Sequence, residues 1–280
     1  MFYLLHKPKN ISSFACIKKF ARQMKIKKIG HSGTLDPLAS GLLLLATDDD
    51  TKLLPYIKDK TKTYKASIIF GQARSTYDEE GEITQTSENK INESDLNAVL
   101  EWFRTQNVQI PPIFSAKKIN GTRAYDLARR KQEVQLKAQK IKIHEAQFIS
   151  FNYQSQELVV KLKVSNGTYI RSLAHDIGQA FNTCSYMSDL ERTEISTLNN
   201  NLLVNNNFVA IINVLPLLSV ASLMLSGDQI KVLQKGLLLP IETTDGQYVI
   251  TNQKNGTQVL GIIEVANSFA RVVKLFGNRL

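Results

Sequence analysis

Residues 30–41 read GHSGTLDPLASG, and the rest of the sequence can be organised outward from them. Three glycines in this stretch allow backbone conformations that other residues resist, and they let a ligand approach the main chain. Pro37 disfavours the helical region at Asp36, so we expect this acid to be extended at a turn. His31 adds a flat, titratable ring. A rigid loop with one carboxylate and one imidazole suits catalysis, although such a loop alone is more often a structural turn.

Strand and helix patterns flank this loop on both sides. Apolar runs and period-two alternation predict strands at 2–5, 63–70 and 158–164, and residues 42–46 form a further apolar run. Helical spacing predicts helices that begin at a serine cap at 12 or 13, at 94 and at 172. The inward positions of the first helix are expected to be Phe14, Ile17, Phe20, Ala21 and Met24. Strands mixed with helices predict an α+β domain.

The C-terminal quarter has a different pattern. Two Asn triplets mark residues 196–207 as a connector, and short apolar segments separated by turns follow between 227 and 276. This predicts a small β-rich module. We therefore expect a main domain at 1–205 and a second module at 215–280.

The charge balance favours a polyanionic partner. The chain has 280 residues and a net charge of +10, and we expect the excess to be spread along the chain. Lys and Arg that neutralise phosphates release counterions, which favours nucleic-acid binding, although a basic surplus can also serve only solubility. Residues 115–142 are notably basic.

Several classes of protein are disfavoured by the same sequence. Cys16 and Cys184 have neither disulfide nor metal-ligand spacing and are expected to be buried free thiols. The Asp48, Asp49 and Asp50 run lacks the pattern of a calcium loop. The N-terminus does not have the form of a signal peptide, and no apolar run reaches the ~20 residues that span a bilayer. We expect a soluble, cytoplasmic monomer without metal or membrane partner.

The motif at 30–41 resembles the signature of the bacterial tRNA pseudouridine synthase B family. Five further segments resemble family motifs in the right order, over roughly residues 3 to 195. They are LHKPKNISS at 5–13, KTY at 62–64, QIPPIFSAKK at 109–118, GTYIRSL at 167–173 and LERT at 190–193.

The resemblance implies a pseudouridine synthase fold with a central mixed, mainly antiparallel sheet, followed by a PUA-like RNA-binding module. It implies isomerisation of uridine 55 in the T loop of tRNA by base flipping, without a cofactor. Asp36 would be the catalytic carboxylate, Arg171 would pair with it, and Tyr64 would stack on the flipped uracil. His31 would fill the gap that the nucleotide leaves, and Leu190 would line the uracil pocket.

Further residues are expected to bind the substrate. Residues 117–142 would form a thumb loop that grips the T stem-loop, with contacts from Lys117, Lys118 and Arg123, and Lys7 would add another contact. Two positions depart from the family pattern. Asn10 replaces a glycine, but Asn tolerates the left-handed conformation, and Glu191 replaces an arginine that could contact phosphate.

Three alternative functions fit the sequence less well. A synthase for ribosomal RNA would be expected to carry an Arg-Leu-Asp type of loop, unlike Gly-Thr-Leu-Asp-Pro here. An RNA-binding or RNA-folding protein without catalysis would not need Asp36, Tyr64 and Arg171, although such a role could coexist with catalysis. A metal-dependent hydrolase would need clustered ligands that the sequence lacks.

Overall fold

The computed structural model describes residues 1–114, 118–119, 122–123, 136–203 and 207–280. Within these ranges the α-helices are α1 (Ser13–Gln23), α2 (Leu96–Thr105), α3 (Ile170–Ala180) and α4 (Gly227–Gln234). The strands within the same ranges are β1 (Phe2–Lys7), β2 (Ile29–His31), β3 (Ser40–Thr47), β4 (Lys62–Phe70), β5 (Gln72–Arg74), β6 (Ile83–Thr86), β7 (Val108–Gln109), β8 (Lys118–Ile119), β9 (Thr122–Arg123), β10 (Gln139–Lys140), β11 (Ile143–Asn152), β12 (Glu157–Val164), β13 (Ser185–Ile195), β14 (Leu198–Asn199), β15 (Phe208–Ile211), β16 (Ala221–Leu225), β17 (Leu239–Pro240), β18 (Gly246–Asn252), β19 (Gly261–Ala266) and β20 (Phe269–Leu275).

A nine-stranded sheet, counted over the described residues, organises the main domain. Seven strands lie in the order β11–β12–β4–β13–β3–β1–β15, with β14 beside β13 and β2 beside β3. Neighbouring strands run antiparallel except β13 and β3, which are parallel. The predicted mixed, mainly antiparallel sheet is confirmed.

The loop at 30–41 is attached to the middle of this sheet. β2 leads into it and β3 leads out of it, and these two strands pair with each other. β3 is also bracketed by β1 on one side and β13 on the other. The loop is therefore anchored at both ends to strands of the main sheet.

One face of the sheet packs against α1, α2 and α3 in a single apolar core. The alternation predicted for β12 is confirmed, because Leu158, Val160 and Leu162 are fully buried. Burial of each such side chain stabilises the fold by about 1.5–3 kcal/mol. The free thiols of Cys16 and Cys184 are buried, as expected.

The inward face predicted for α1 is partly wrong. Phe14 is 74% exposed and Met24 is 37% exposed, whereas Ser13 is buried. Ser12 caps the helix by accepting a hydrogen bond from the Ala15 amide, and the Ser13 hydroxyl turns inward to bond the main chain of Leu35. Because of these contacts, Ser13 lies on the buried side of α1 and Phe14 faces solvent.

The C-terminal module is a second sheet in the order β16–β18–β19–β20–β17, and α4 packs against it. The β-rich pattern is confirmed. The main sheet, however, extends past the predicted domain end at 205, because β15 pairs with β1. The second sheet begins only at β16. The boundary therefore lies between these two strands.

A second apolar cluster joins the module to the other face of the main sheet, with Leu42 and Leu44 on one side and Ile262 and Phe276 on the other. Beside it the Arg279 guanidinium binds both carboxylate oxygens of Asp50, at 2.8 and 3.0 Å. The module is thus fixed to the main domain by apolar packing and a charged contact. No helix in the described residues has both the length and the apolar character needed to cross a bilayer.

Candidate active site

The loop before Asp36 is held by a buried serine at the start of α1. The Ser13 hydroxyl donates to the Leu35 carbonyl and accepts from the Leu35 amide, both at 2.8 Å. Because both polar groups of Leu35 are engaged by one side chain, the residue preceding Asp36 is fixed on both sides.

Pro37, the residue after Asp36, is fixed through its carbonyl oxygen. The Pro37 carbonyl accepts hydrogen bonds from the Asn10 amide at 2.8 Å and from the Lys7 ammonium at 3.2 Å. Asn10 has a φ of 63°, so it adopts the left-handed conformation that its place in the family's glycine motif predicted. Substitution of the glycine by Asn thus preserves the turn.

Lys7 is an internal residue, which corrects its prediction as a substrate-binding residue. Its side chain is fully buried, and the ammonium donates to the carbonyls of Pro8, Ile11 and Pro37 at 2.9, 2.7 and 3.2 Å. All three donor positions are occupied by the protein itself. Burial lowers the pKa of Lys7 to about 8.

The first half of the loop rests on Arg192, which the sequence did not single out. Arg192 is almost fully buried on β13, and its guanidinium donates to the carbonyls of Leu42, Thr34 and Gly33 at 2.6, 3.3 and 3.3 Å. β13 passes so close to β3 here that a Cβ at Gly41 would collide with the Arg192 backbone. Arg192 thus ties the loop to the centre of the sheet.

Asp36 is brought together with Arg171, as the sequence predicted. Oδ2 of Asp36 lies 3.0 Å from Nε of Arg171, and the Asp36 side chain is 39% exposed while that of Arg171 is 6% exposed. Nε donates no well-directed hydrogen bond, so the contact is an ion pair. The carboxylate therefore remains accessible while its cationic partner is enclosed.

Arg171 lies in the first turn of α3, and three further contacts orient its guanidinium. Nη1 lies 3.3 Å from Oδ2 of Asp78 and donates to the Thr76 carbonyl at 3.2 Å, and Nη2 donates to the Phe114 carbonyl at 2.9 Å. The Gln109 side chain also clamps the amide and carbonyl of Tyr169, just before the helix. The guanidinium is held in one orientation.

The protonation of Asp36 is set by opposing effects. Burial raises the pKa of Asp36, the Arg171 charge counters part of this rise, and the negative charge of Asp78 adds to it. The net direction is upward, so a neighbouring arginine does not by itself make this a strongly acidic carboxyl.

Tyr64 and Leu190 share one face of the sheet on neighbouring strands. Tyr64 on β4 is paired in register with Arg192 on β13, and Leu190 is paired with Ala66 two residues further along. Both belong to the core cluster that also contains Leu35. Both side chains are buried, with Tyr64 6% exposed and Leu190 5% exposed.

The remaining predicted site residues are placed as follows. His31 is exposed at the end of β2. Lys118 and Arg123 pair through their backbones in a two-strand ladder of β8 and β9. Lys117 and most of the predicted thumb at 117–142 lie outside the described residues.

Lys62 is a further cation near the loop that was not predicted as a site residue. It is 7% exposed, and its ammonium donates to Asn166 Oδ1 at 2.5 Å. Burial and the nearby Arg192 lower its pKa to about 8. The described ranges contain no cluster of His, Cys, Asp or Glu that could hold a metal ion.

The comparisons with known proteins agree with this geometry. A family model described as TruB family pseudouridylate synthase, N terminal domain, matches residues 21–170. This chain belongs to the TruB family. The match includes the site loop, Tyr64 and Asp78, and it ends one residue before Arg171.

Relatives in the TruB family extend the similarity over the whole chain. The chain is 42% identical over 280 residues to the tRNA pseudouridine synthase B of Mycoplasmopsis pulmonis and covers 96% of that protein. It is 39% identical over 195 residues to that of Aquifex aeolicus, which is 70% of this chain and 68% of the relative. The TruB family member described here is accordingly a pseudouridine synthase, an isomerase.

A solved structure shows the same fold at low sequence identity. The matching chain comes from an H/ACA RNP bound to a substrate RNA containing 2′-deoxyuridine, with a TM-score of 0.66 and 16% identity. The alignment covers 98% of this chain and 84% of the other. At this identity the similarity shows the pseudouridine synthase fold alone.

Proposed function

We propose that this TruB family member converts uridine 55 in the T loop of tRNA into pseudouridine, with Asp36 as the catalytic carboxylate. The observation that carries the proposal is the Asp36–Arg171 ion pair, in which the carboxylate is accessible and its partner is enclosed. The names of the relatives support tRNA as the substrate.

The reaction needs neither a redox partner nor hydrolysis. The bond between C1′ of the ribose and N1 of uracil breaks, a bond between C1′ and C5 forms, and the proton lost from C5 is balanced by one gained at N1. Asp36 acts either as a nucleophile at the ribose or as the partner in an elimination. In both routes a carboxylate oriented by Arg171 is the required group.

A uridine inside folded RNA cannot be reached in place, so the target nucleotide must leave the loop and enter the protein. Tyr64 offers an aromatic surface to the flipped uracil, and its hydroxyl takes part in proton transfer. Leu190 lines the same pocket. His31 occupies the gap that the nucleotide leaves in the RNA, a role that its exposed position beside the loop supports.

Binding to the rest of the T stem-loop comes from cationic side chains. Lys117, Lys118 and Arg123 contact phosphates, and these contacts give affinity more than sequence choice. The protein acts as a cytoplasmic monomer without a cofactor.

The test is position-specific detection of pseudouridine in an unmodified tRNA transcript incubated with the purified protein. The matched control is the same transcript with cytidine in place of uridine 55. Conversion of uridine 55 alone, and none in the control, is expected. Conversion at another uridine would contradict the assigned target, and binding without any conversion would favour an RNA-binding function.

A further inference from the structure

The basic charge of this protein is unevenly distributed, and residues 1–35 form one of two strongly basic segments, the other being residues 115–142. Residues 1–35 contain 8 of the 35 Lys and Arg residues and none of the 25 Asp and Glu residues. The remaining 245 residues contain 27 basic and 25 acidic residues, and residues 115–142 among them contain nine basic and two acidic residues. The basic residues of the first segment are Lys7, Lys9, Lys18, Lys19, Arg22, Lys25, Lys27 and Lys28.

Four of these cations line a groove along α1. The groove has a volume of about 490 Å³ and is lined by residues between Phe14 and Ile29. Its lining combines apolar side chains with basic ones, and the basic ones are called the rim below. The apolar residues are Ile17, Ala21, Ile26 and Ile29, and the rim residues are Lys18, Arg22, Lys25 and Lys27.

The rim carries positive charge that no acidic residue of the described ranges neutralises. Within the described ranges none of the four rim cations forms an ion pair, and all four are exposed. Like charges arranged along one groove repel each other, and an anionic ligand relieves that repulsion. The groove is therefore complementary to a polyanion.

An exposed aromatic ring lies at the start of the groove. Phe14 is 74% exposed, and the Lys18 ammonium lies 6.0 Å from its ring centre. A flat apolar ring beside a flexible cation matches the two components of a nucleotide, since a base stacks on the ring while its phosphate meets the cation.

The groove adjoins the candidate active site through two connections. Ser13, next to Phe14, hydrogen bonds to Leu35 at the start of the Asp36 turn. At the other side, Ile29 of the groove begins β2, the strand that ends at His31. The groove is therefore joined to the site loop by a side-chain hydrogen bond at one side and by a strand at the other.

We propose that the groove along α1 binds an unpaired strand of the RNA substrate, with a base stacked on Phe14 and phosphates on the rim cations. This inference rests on the proposed function for the identity of the RNA. A duplex would contact the rim through phosphates but would leave the apolar lining unused, because its bases are stacked inside. An unpaired strand uses both features of the groove.

Stacking on residue 14 can be measured directly. Phe14→Trp adds a reporter to a chain whose one native tryptophan is Trp102. Titration with oligouridylate is expected to quench the fluorescence of this variant. The matched control is Phe148→Trp, since Phe148 is also an exposed ring, at 45%. It is expected to show no quenching. Bound oligouridylate that leaves Phe14→Trp fluorescence unchanged would overturn the proposal.

The rim is tested by the salt dependence of binding. In the combined variant Lys18→Gln, Arg22→Gln and Lys27→Gln, the slope of log K against log salt is expected to fall by about 2, because each lost phosphate contact removes ~0.7 for a single strand. The control removes three exposed lysines elsewhere, through Lys65→Gln, Lys90→Gln and Lys254→Gln. An equal slope change in both combined variants would contradict a specific groove.

Failure of the groove and failure of the proposed function give different results. If tRNA is converted normally but oligouridylate binding is unaffected by the rim substitutions and does not quench Phe14→Trp, the groove proposal is wrong and the function stands. If tRNA is not converted, the oligouridylate titrations still decide the groove. Vesicles of anionic phospholipid are a further arm, and quenching of Phe14→Trp by vesicles but not by RNA would identify a membrane surface instead.

Discussion

Oδ2 of Asp78 lies 3.3 Å from Nη1 of Arg171, the same guanidinium whose Nε lies 3.0 Å from Asp36. The Asp78 side chain is 2% exposed and that of Asp36 is 39% exposed. Arg171 thus contacts both a buried carboxylate, that of Asp78, and a solvent-accessible one, that of Asp36. Asp78 fixes the cation, and its negative charge also makes ionisation of Asp36 more costly.

Asp78→Asn should change both the rate and its pH dependence. In the proposed mechanism Asp36 acts as the carboxylate, so activity should be lost as the pH falls through its pKa, which burial has raised. Removal of the Asp78 charge lowers that pKa, and the acid limb of the single-turnover rate should move to lower pH. The plateau rate should fall about 10- to 100-fold, because Arg171 loses an anchor.

The control for this prediction is Glu79→Gln, which removes a neighbouring charge that does not meet Arg171. It should leave the profile unchanged. An acid limb that moves upward in Asp78→Asn would show that Asp78 acts on Asp36 in some other way than through its charge.

Arg192→Met should destabilise the protein and loosen the site loop. The carbonyls of Gly33, Thr34 and Leu42 lose their donor, and one unsatisfied buried acceptor costs about 1–3 kcal/mol. Denaturant unfolding should therefore show a lower midpoint. Lys65→Met, at an exposed position on β4, is the matched control and should unfold like the intact protein. Equal midpoints for both variants would contradict the assigned role of Arg192.

Lys7→Gln should lower the turnover rate without changing the salt dependence of tRNA binding, because its ammonium binds three carbonyls inside the protein. Lys117→Gln, Lys118→Gln and Arg123→Gln should instead flatten the slope by ~0.7–0.9 for each lost phosphate contact. The two sets are compared by measuring tRNA affinity over a range of salt concentrations. A flatter slope for Lys7→Gln would restore it as a phosphate contact.

Much of the architecture was predictable because local patterns and burial agree. The alternation of β12 was predicted correctly from residue type alone, and the left-handed turn at Asn10 was predicted correctly from its place in the family's glycine motif. The pairing of Asp36 with Arg171 was predicted from the motifs, since their 135-residue separation offers no local signal.

The central strand β13 was missed for a physical reason. Its sequence SYMSDLERTEI breaks simple alternation with two register shifts, and it buries Arg192, which is satisfied by carbonyls from a loop far away in sequence. The local pattern of residue types along β13 cannot show that these distant carbonyls bind Arg192. The exposure of Phe14 was missed because Ser13 takes the inward position through its bond to Leu35.

The central claim is tested most directly by comparing the intact protein with Asp36→Asn on one tRNA transcript, measuring pseudouridine formation and tRNA affinity together. The amide keeps the shape of the carboxylate but removes its charge, so conversion should disappear while the affinity stays within a few-fold. Turnover by Asp36→Asn, with deamidation of the new amide excluded by mass spectrometry, would contradict the account.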